Sequence, residues 1–430
     1  MCLAALAAAG LAISPAAAQY QWGGAGGDDS WGTAANWTNN AVPPVDYTGR
    51  LLFTNADLGA VNIIEANRRI AGTAQSLSYG LHYNTGADTP AAHTTDLNSA
   101  VLTLDGGTLL AGYNVSNSTA VIRNGTLQIG GAARTDVKVG ENSINKELYG
   151  ISALTIEGAL SVTNLGNLHV GRHQAGNAAG NRGGTLDLTA AAIASTSGVN
   201  TLKVNENLGV GSNNGGPNAP VLGLLRLPAA LASLDVGSLY LGYERAGYGT
   251  IDFGPGSALT NFLCRGAFYL SYGGLGSIVN LPTGVTFTVG QPALFADMVV
   301  GHNGYAGNAI SGALAVVNGR FVGCLNTLYL GHQAAGNTPN VTGDLDIASC
   351  AVASAAGENS FHANAAYIGS RNVGAEGDAN PHGVLRLPPT VTNLVFGTLQ
   401  LGYGLHGDGT IDIGTNSQLR SITITNALYW

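Results

Sequence analysis

The 430-residue sequence predicts an all-β fold, a β-solenoid that is most simply a right-handed parallel β-helix of about ten rungs. Two observations lead to this prediction. A short strand pattern recurs about every 30 residues, and a longer block of the chain is duplicated. Such periods are typical of repeat proteins, in which each unit needs its neighbours to bury an apolar face.

The recurring pattern is apolar-x-apolar-Gly, and each copy sits among alternating apolar and polar residues that end at Gly, Asn, Asp or Pro. This is typical of short strands and turns, and no helical periodicity follows residue 20. Stacked at about 4.8 Å, ten units form a rod roughly 50 Å long. A propeller needs four strands in each longer repeat, and the shorter units of this chain fit it poorly. The copies end at Gly140, Gly171, Gly211, Gly242, Ser271, Gly301, Gly331, Gly369 and Gly402, with a degenerate copy at Gly112.

A duplication lies above the short repeat. The sequence Leu-Arg-Leu-Pro at 225–228 returns at 385–388, and the whole block 171–254 returns with the same displacement as 331–414. We therefore expect β-helix repeats over 101–430. Residues 19–100 are expected to form a Trp-containing N-terminal cap and the first irregular strands.

Residues 1–18 are predicted to be an export signal. A run of Ala, Leu, Ile and Gly over 3–13 is followed by Pro15 and by small residues up to Ala18, although no Lys or Arg precedes the run. The run is too short to span a bilayer, and no later run is long enough, so we expect an exported chain without a membrane span. Three cysteines would remain, Cys264, Cys324 and Cys350. The first two lie two units apart, about 10 Å, which is too far for a disulfide.

Composition limits the partners. Charged residues make up 10% of the chain, the net charge is −8, and three lysines provide no basic patch, so nucleic acid is excluded as a partner. His302 and His332 share one repeat position, but no His-x-x-x-His or Cys-x-x-Cys spacing occurs. The sequence therefore predicts no metal site and no cofactor.

Strand alternation predicts which aromatic residues face outward. In Leu-Tyr-Leu-Gly the Tyr points away from the core, so Tyr240 is expected to stack on Tyr269, and Tyr329 on Tyr367. Packing of like residues between rungs is the simpler interpretation, and an aromatic platform for sugar rings is the alternative. The N-terminal tryptophans also allow two interpretations, an N-terminal cap or a cluster that binds sugar. The candidate sugar-contacting residues are Trp22, Trp31, Trp37, Tyr240, Tyr269, Tyr329 and Tyr367.

A second apolar-x-apolar segment in each unit holds a charge ladder of Asp, Arg and Asp in three successive rungs, and the duplicated block repeats it. Alternating charges about 5 Å apart would fix the strand register, each exposed pair contributing about 0.2 to 1 kcal/mol. Carboxylates and Arg on one face also occur in β-helical polysaccharide lyases, but here each carboxylate has a cation beside it, so no catalytic residue is predicted. The ladder residues are Asp187, Arg226, Asp252, Asp346, Arg386 and Asp412.

The mature N-terminus carries Trp-Gly-Gly-Ala-Gly-Gly-Asp-Asp-Ser-Trp over 22–31, Asn-Trp at 36–37 and Pro-Pro at 43–44. With the Gly-rich strand units, it resembles bacterial surface proteins that carry autotransporter-associated β-strand repeats. The resemblance implies an exported β-helical stalk or passenger with adhesive or display roles, usually without catalysis. The chain departs from that family in having no C-terminal translocator barrel or sorting helix. Its residues 427–430 match 267–270, where the next rung begins.

We therefore expect a non-enzymatic, exported β-solenoid at the bacterial surface or outside the cell, acting as a stalk, an adhesin or an assembly subunit. Surface glycans or other copies of the chain are its expected partners. Two alternatives stay open. One is a carbohydrate-active β-helix enzyme of the polysaccharide lyase or glycoside hydrolase type. The other is a filament subunit that assembles through its last rung, because an open strand edge pairs with other chains.

Overall fold

A computed structural model describes residues 19–53, 61–72, 77–81, 92–115, 117–143, 150–174, 182–214, 220–304, 309–334, 340–372 and 380–430. These residues form a parallel β-solenoid of about 11 turns, which confirms the predicted fold class. The predicted export signal, residues 1–18, lies outside the described residues. The described part of the chain contains no helix long and apolar enough to cross a bilayer.

Three sheets run along the rod, and the one helix among the described residues is a 3-10 turn at Ala34–Asn36. The long sheet consists of Gln19–Gln21, Arg50–Phe53, Leu77–Leu81, Gly107–Tyr113, Thr135–Asn142, Leu165–His173, Thr201–Asn213, Ser233–Tyr243, Asn261–Cys264, Phe268–Tyr272, Thr286–Val289, Ala296–Asn303, Arg320–Gly323, Leu325–Gln333, Ala351–Ser354, Gly357–Glu358, Ser360–Ile368, Asn393–Leu401 and Ser421–Tyr429. A second sheet consists of Asp46–Thr48, Val61–Ile63, Arg68–Ala71, Ala92–Asp96, Val101–Leu104, Thr119–Ile129, Gly150–Val162, Arg182–Asp187, Ala191–Ser195, Gly198–Val199, Val221–Arg226, Gly247–Asp252 and Leu275–Val279. The third consists of Ile310–Ala315, Val341–Asp346, Pro381–Arg386 and Asp408–Asp412.

Neighbouring strands belong to successive turns and pair in parallel. Two short antiparallel hairpins interrupt this pattern, one over 191–199 and one over 351–358. Ala191 and Ala351, where the hairpins begin, are equivalent positions in the two copies of the duplicated block. Each hairpin lies in the longest repeat unit of its block, which ends at Gly211 in the first copy and at Gly369 in the second. The duplication is thus visible in the structure, because each copy of the block contains a short antiparallel hairpin at the equivalent place.

The parallel ladder already includes the N-terminal region. Gln19–Gln21 pairs with Arg50–Phe53, which pairs with Leu77–Leu81, and that strand pairs with Gly107–Tyr113. The sheet therefore runs without a break through residue 100, where the sequence suggested a change from cap to repeats.

One continuous hydrophobic cluster fills the rod, because most inward positions of the turns are apolar. In the middle turns phenylalanine rings follow one another at centroid distances between 5.1 and 6.4 Å. These rings belong to Phe253, Phe262, Phe268, Phe287, Phe321, Phe361 and Phe396.

The glycine of the repeat lies where the strand bends. Gly211 has φ of 64°, and a Cβ there would lie 2.0 Å from the carbonyl oxygen of Tyr248 in the second sheet. The position therefore requires both a left-handed backbone and the absence of a side chain. In the one copy with serine, Ser271 has φ of 60°, and its Oγ accepts a hydrogen bond from the backbone N–H of Gly276 at 2.8 Å.

Candidate functional site

Two columns of side chains lie beside each other on the outer face of the long sheet, and several members of each are buried. The first column holds the middle residue of each repeat pattern, and strand register places each member opposite the next. Its members are Leu110, Lys138, His169, Gly209, Tyr240, Tyr269, Val299, Tyr329, Tyr367 and Gln400. The second column holds the residue after the bend. Its members are Tyr113, Glu141, Arg172, Ser212, Tyr243, Tyr272, His302 and His332.

Both predicted tyrosine pairs stack. The ring centroids of Tyr240 and Tyr269 are 5.3 Å apart, and those of Tyr329 and Tyr367 are 4.9 Å apart. Each of these side chains is half-buried, because rings of the second column pack against them. We call the combined set of rings the aromatic strip; its tyrosines are partly exposed, and its two histidines are buried. It consists of Tyr240, Tyr243, Tyr269, Tyr272, His302, Tyr329, His332 and Tyr367.

The second column of this strip was not predicted from the sequence. Tyr272 stacks on His302 with centroids 4.6 Å apart and planes 4° apart, and His302 lies opposite His332. The sequence did contain a signal for this column. In four consecutive copies, the residue after the last position of the repeat pattern is Tyr, Tyr, His and His.

The interpretation of the tryptophans as sugar-contacting residues is wrong. Trp22, Trp31 and Trp37 are at most 1% exposed. Trp22 and Trp31 each pack edge to face on Trp37, and Trp31 stacks on Phe53. The indole N–H of Trp31 donates to Asn62 Oδ1 at 2.7 Å. These rings fill the interior of the solenoid and have no surface to offer a ligand.

The charge ladder lies on the second and third sheets, away from the strip. Register places Asp187 opposite Arg226 and Arg226 opposite Asp252, and it aligns Asp346, Arg386 and Asp412 in the same order. The ion pairs are fewer than alternation implies. Arg226 contacts Asp187 at 3.3 Å, whereas Arg386 is nearest to Asp344, at 3.8 Å, because its side chain leans along the strand toward the earlier carboxylate.

The ladder carboxylates have a second role that spacing did not reveal. Each accepts a hydrogen bond from the backbone N–H two residues later, at 2.8 to 3.1 Å. This is the Asx turn, in which an aspartate closes the corner that follows its strand. The four donor residues are Thr189, Gly254, Ala348 and Gly414.

A polar cleft of about 440 Å³ lies at one end of the aromatic strip, above Gly209. Gly209 faces His169 on one side and Tyr240 on the other, so the first column has a gap of one side chain there. The cleft is lined by Asp136, Lys138, Asn167, His169, Arg172, Glu206, Asn207, Gly209, Ser212, Asn214, Tyr240 and Tyr243.

Asn167 organises one wall of the cleft. Its Nδ2 donates to Glu206 at 2.9 Å and to Asp136 at 3.3 Å, and its Oδ1 accepts from Asn207 Nδ2 at 2.9 Å. Arg134, just outside, pairs with both carboxylates. Amides and a guanidinium therefore hold the two carboxylates in place.

His169 forms the opposite wall and is 8% exposed. Burial, and then the charges of Arg172 and Lys138, lower the pKa of His169 to about 3, so the imidazole is neutral. Its Nε2 lies 3.2 Å from Arg172 Nη1, which is always a donor, so Nε2 accepts and the ring proton belongs on Nδ1. That Nδ1 has no hydrogen-bond partner, and it points at the gap over Gly209.

Within the described ranges, no group of three His, Cys, Asp or Glu side chains is placed to hold a metal ion. The thiols of Cys264, Cys324 and Cys350 are all free and buried, and burial raises the pKa of Cys264 to about 12. None of these three cysteines lines the polar cleft.

Comparison of the chain with protein-family models, with curated proteins and with solved structures gave no significant match.

Proposed function

We propose that this chain is an exported, non-enzymatic β-solenoid that acts as a cell-surface stalk or adhesin and binds saccharides on the face of its long sheet. The observation that carries the proposal is the aromatic strip with the polar cleft at its end. A pyranose has an apolar face and polar edges, and its recognition calls for an aromatic ring beside fixed hydrogen-bonding groups.

The rod gives the strip a rigid support. About 11 turns at roughly 4.8 Å extend about 50 Å, and hydrogen bonds between turns satisfy the backbone along that length. Such a shape holds a binding face away from the surface that anchors it.

Two observations favour binding over catalysis. Arg134 and Asn167 hold Asp136 and Glu206, and the ladder aspartates close turns on another side of the rod. A general acid or base needs a proton-transfer path to substrate, and these carboxylates are engaged by the protein instead.

The test uses the chain without residues 1–18 on an array of neutral and acidic glycans. The same protein is incubated with each polysaccharide while reducing ends and the ultraviolet absorbance of unsaturated products are followed. We expect retention of a glycan without cleavage. Absence of binding to every glycan, or release of products, contradicts the proposal.

Export is tested separately, in the producing bacterium. Mass spectrometry of the surface fraction should find a mature N-terminus at Gln19. A chain that retains residues 1–18 and stays inside the cell contradicts this part of the proposal.

A further inference from the structure

The gap above Gly209 has the features of a binding subsite for a single sugar ring. Tyr240 stacks one face on Tyr269, so its other face is turned toward position 209, which has no side chain. His169 flanks the gap on the far side. By strand spacing, the backbones at His169 and Tyr240 are about 10 Å apart. The His169 ring leans over Gly209, and the space that remains is bounded by Tyr240.

An unpartnered donor faces the same gap. A Cβ at position 209 would lie 2.7 Å from His169 Nδ1, so this atom projects over the glycine. Because Arg172 occupies Nε2, Nδ1–H is a buried donor in need of an acceptor. A hydroxyl oxygen of a bound sugar would satisfy it.

Charge indicates the class of sugar. Two carboxylates, Asp136 and Glu206, and two cations, Lys138 and Arg172, line the cleft, so their formal charges cancel. Arg134 pairs with the carboxylates, and Lys138 Nζ contacts Glu141 at 3.0 Å. Arg172 contacts the neutral His169, so a uronate or sulfate would find one cation in the cleft without a carboxylate partner among the described residues, whereas neutral hydroxyls find several amides and carboxylates.

The duplicated block lacks this gap. Gly211 and Gly369 end corresponding copies of the repeat pattern, and Tyr367 therefore occupies the place of Gly209. Tyr367 stacks on Tyr329 and keeps the aromatic strip closed there. The block thus contains a filled counterpart of the same surface.

We propose that the gap over Gly209, between His169 and Tyr240, is a subsite for one pyranose ring of a neutral oligosaccharide, which stacks on Tyr240 and accepts a hydrogen bond from His169 Nδ1. This inference rests on the proposed saccharide binding and assigns its site and ligand class.

The experiment is titration calorimetry of the chain without residues 1–18 against the neutral oligosaccharide that scores best on the array, with polygalacturonate and alginate oligomers as acidic probes. Tyr240→Ala and His169→Gln should each weaken binding about tenfold, because the first removes the stacking face and the second removes the Nδ1 donor. Gly209→Tyr should abolish binding, because it fills the gap as Tyr367 does. Gln400→Ala is the control, because Gln400 lies at the far end of the same column and outside the aromatic strip, and it should bind like the wild type.

Circular dichroism melting and gel filtration identify variants that fail to fold, and these are excluded. The three cleft variants change three different residues around the gap, so the test does not depend on any one of them. Unchanged affinity in Tyr240→Ala and Gly209→Tyr overturns the subsite while the adhesin proposal stands. Preference for the acidic oligomers overturns the neutral class. Equal loss in Gln400→Ala overturns the assignment to this gap. Binding of a protein and of no glycan overturns both proposals.

Discussion

Gly209 lies directly opposite Tyr240 in the parallel ladder, and of the first column from Leu110 to Gln400 it is the one position without a side chain. On one side of Gly209 the column holds Leu110, Lys138 and His169, and on the other side four of its six members are tyrosines. The structure thus creates a concave site on a repeat surface that would otherwise be a continuous ridge.

The buried histidines should make the solenoid sensitive to acid. Burial lowers the pKa of His302 to about 3, with a further effect of His332, whose own pKa burial lowers to about 4. The unfolded value is about 6.5, so the unfolded chain binds more protons below that pH and stability is lost as the pH falls. Thermal midpoints should decrease steadily from about pH 6.5 to 4. His302→Phe, which preserves the stack on Tyr272, should weaken this dependence, and an unchanged profile contradicts the assignment.

The ladder aspartates should matter more than their arginine. Arg226→Ala removes one half-exposed ion pair and should cost less than about 1 kcal/mol of unfolding free energy. Asp187→Ala also removes hydrogen bonds from the N–H and hydroxyl of Thr189 and should cost about 1 to 2 kcal/mol. Urea denaturation of both variants compares them. The reverse order would mean that ion pairing, and not turn closure, is the main role.

The tryptophans should affect stability and leave binding unchanged. Trp31→Ala removes a fully buried ring and should cost about 3 to 5 kcal/mol. Trp430, 90% exposed, provides the control, and Trp430→Ala should change the unfolding free energy by less than about 0.5 kcal/mol. Loss of glycan binding in a folded Trp31→Ala protein would restore the interpretation that the structure rejects.

The three cysteines should be inert in the native chain. Cys264, Cys324 and Cys350 are at most 4% exposed, and burial raises the pKa of each thiol, so little thiolate is present at neutral pH. Ellman's reagent should detect no thiol in the folded protein without residues 1–18 and three in guanidinium chloride. A rapidly reacting native thiol, or a disulfide-linked dimer, contradicts this prediction.

Period and alternation predicted the solenoid, the duplication and the stacking of Tyr240 on Tyr269, because each depends on spacing alone. The cleft escaped prediction for two reasons. Its residues come from four successive turns that differ in length, and its defining feature at Gly209 is a missing side chain. For the tryptophans the error is the reverse, because a predicted contact with ligand is absent. A cluster of aromatic residues has the same sequence whether its rings fill a core or contact a ligand.

The measurement that tests the account most directly is a crystal structure of the chain with the neutral oligosaccharide selected on the array. The account predicts density for one pyranose ring over Gly209, stacked on Tyr240, with a sugar oxygen within hydrogen-bonding distance of His169 Nδ1. An oligosaccharide bound at another surface, with the gap over Gly209 holding only water, would contradict it.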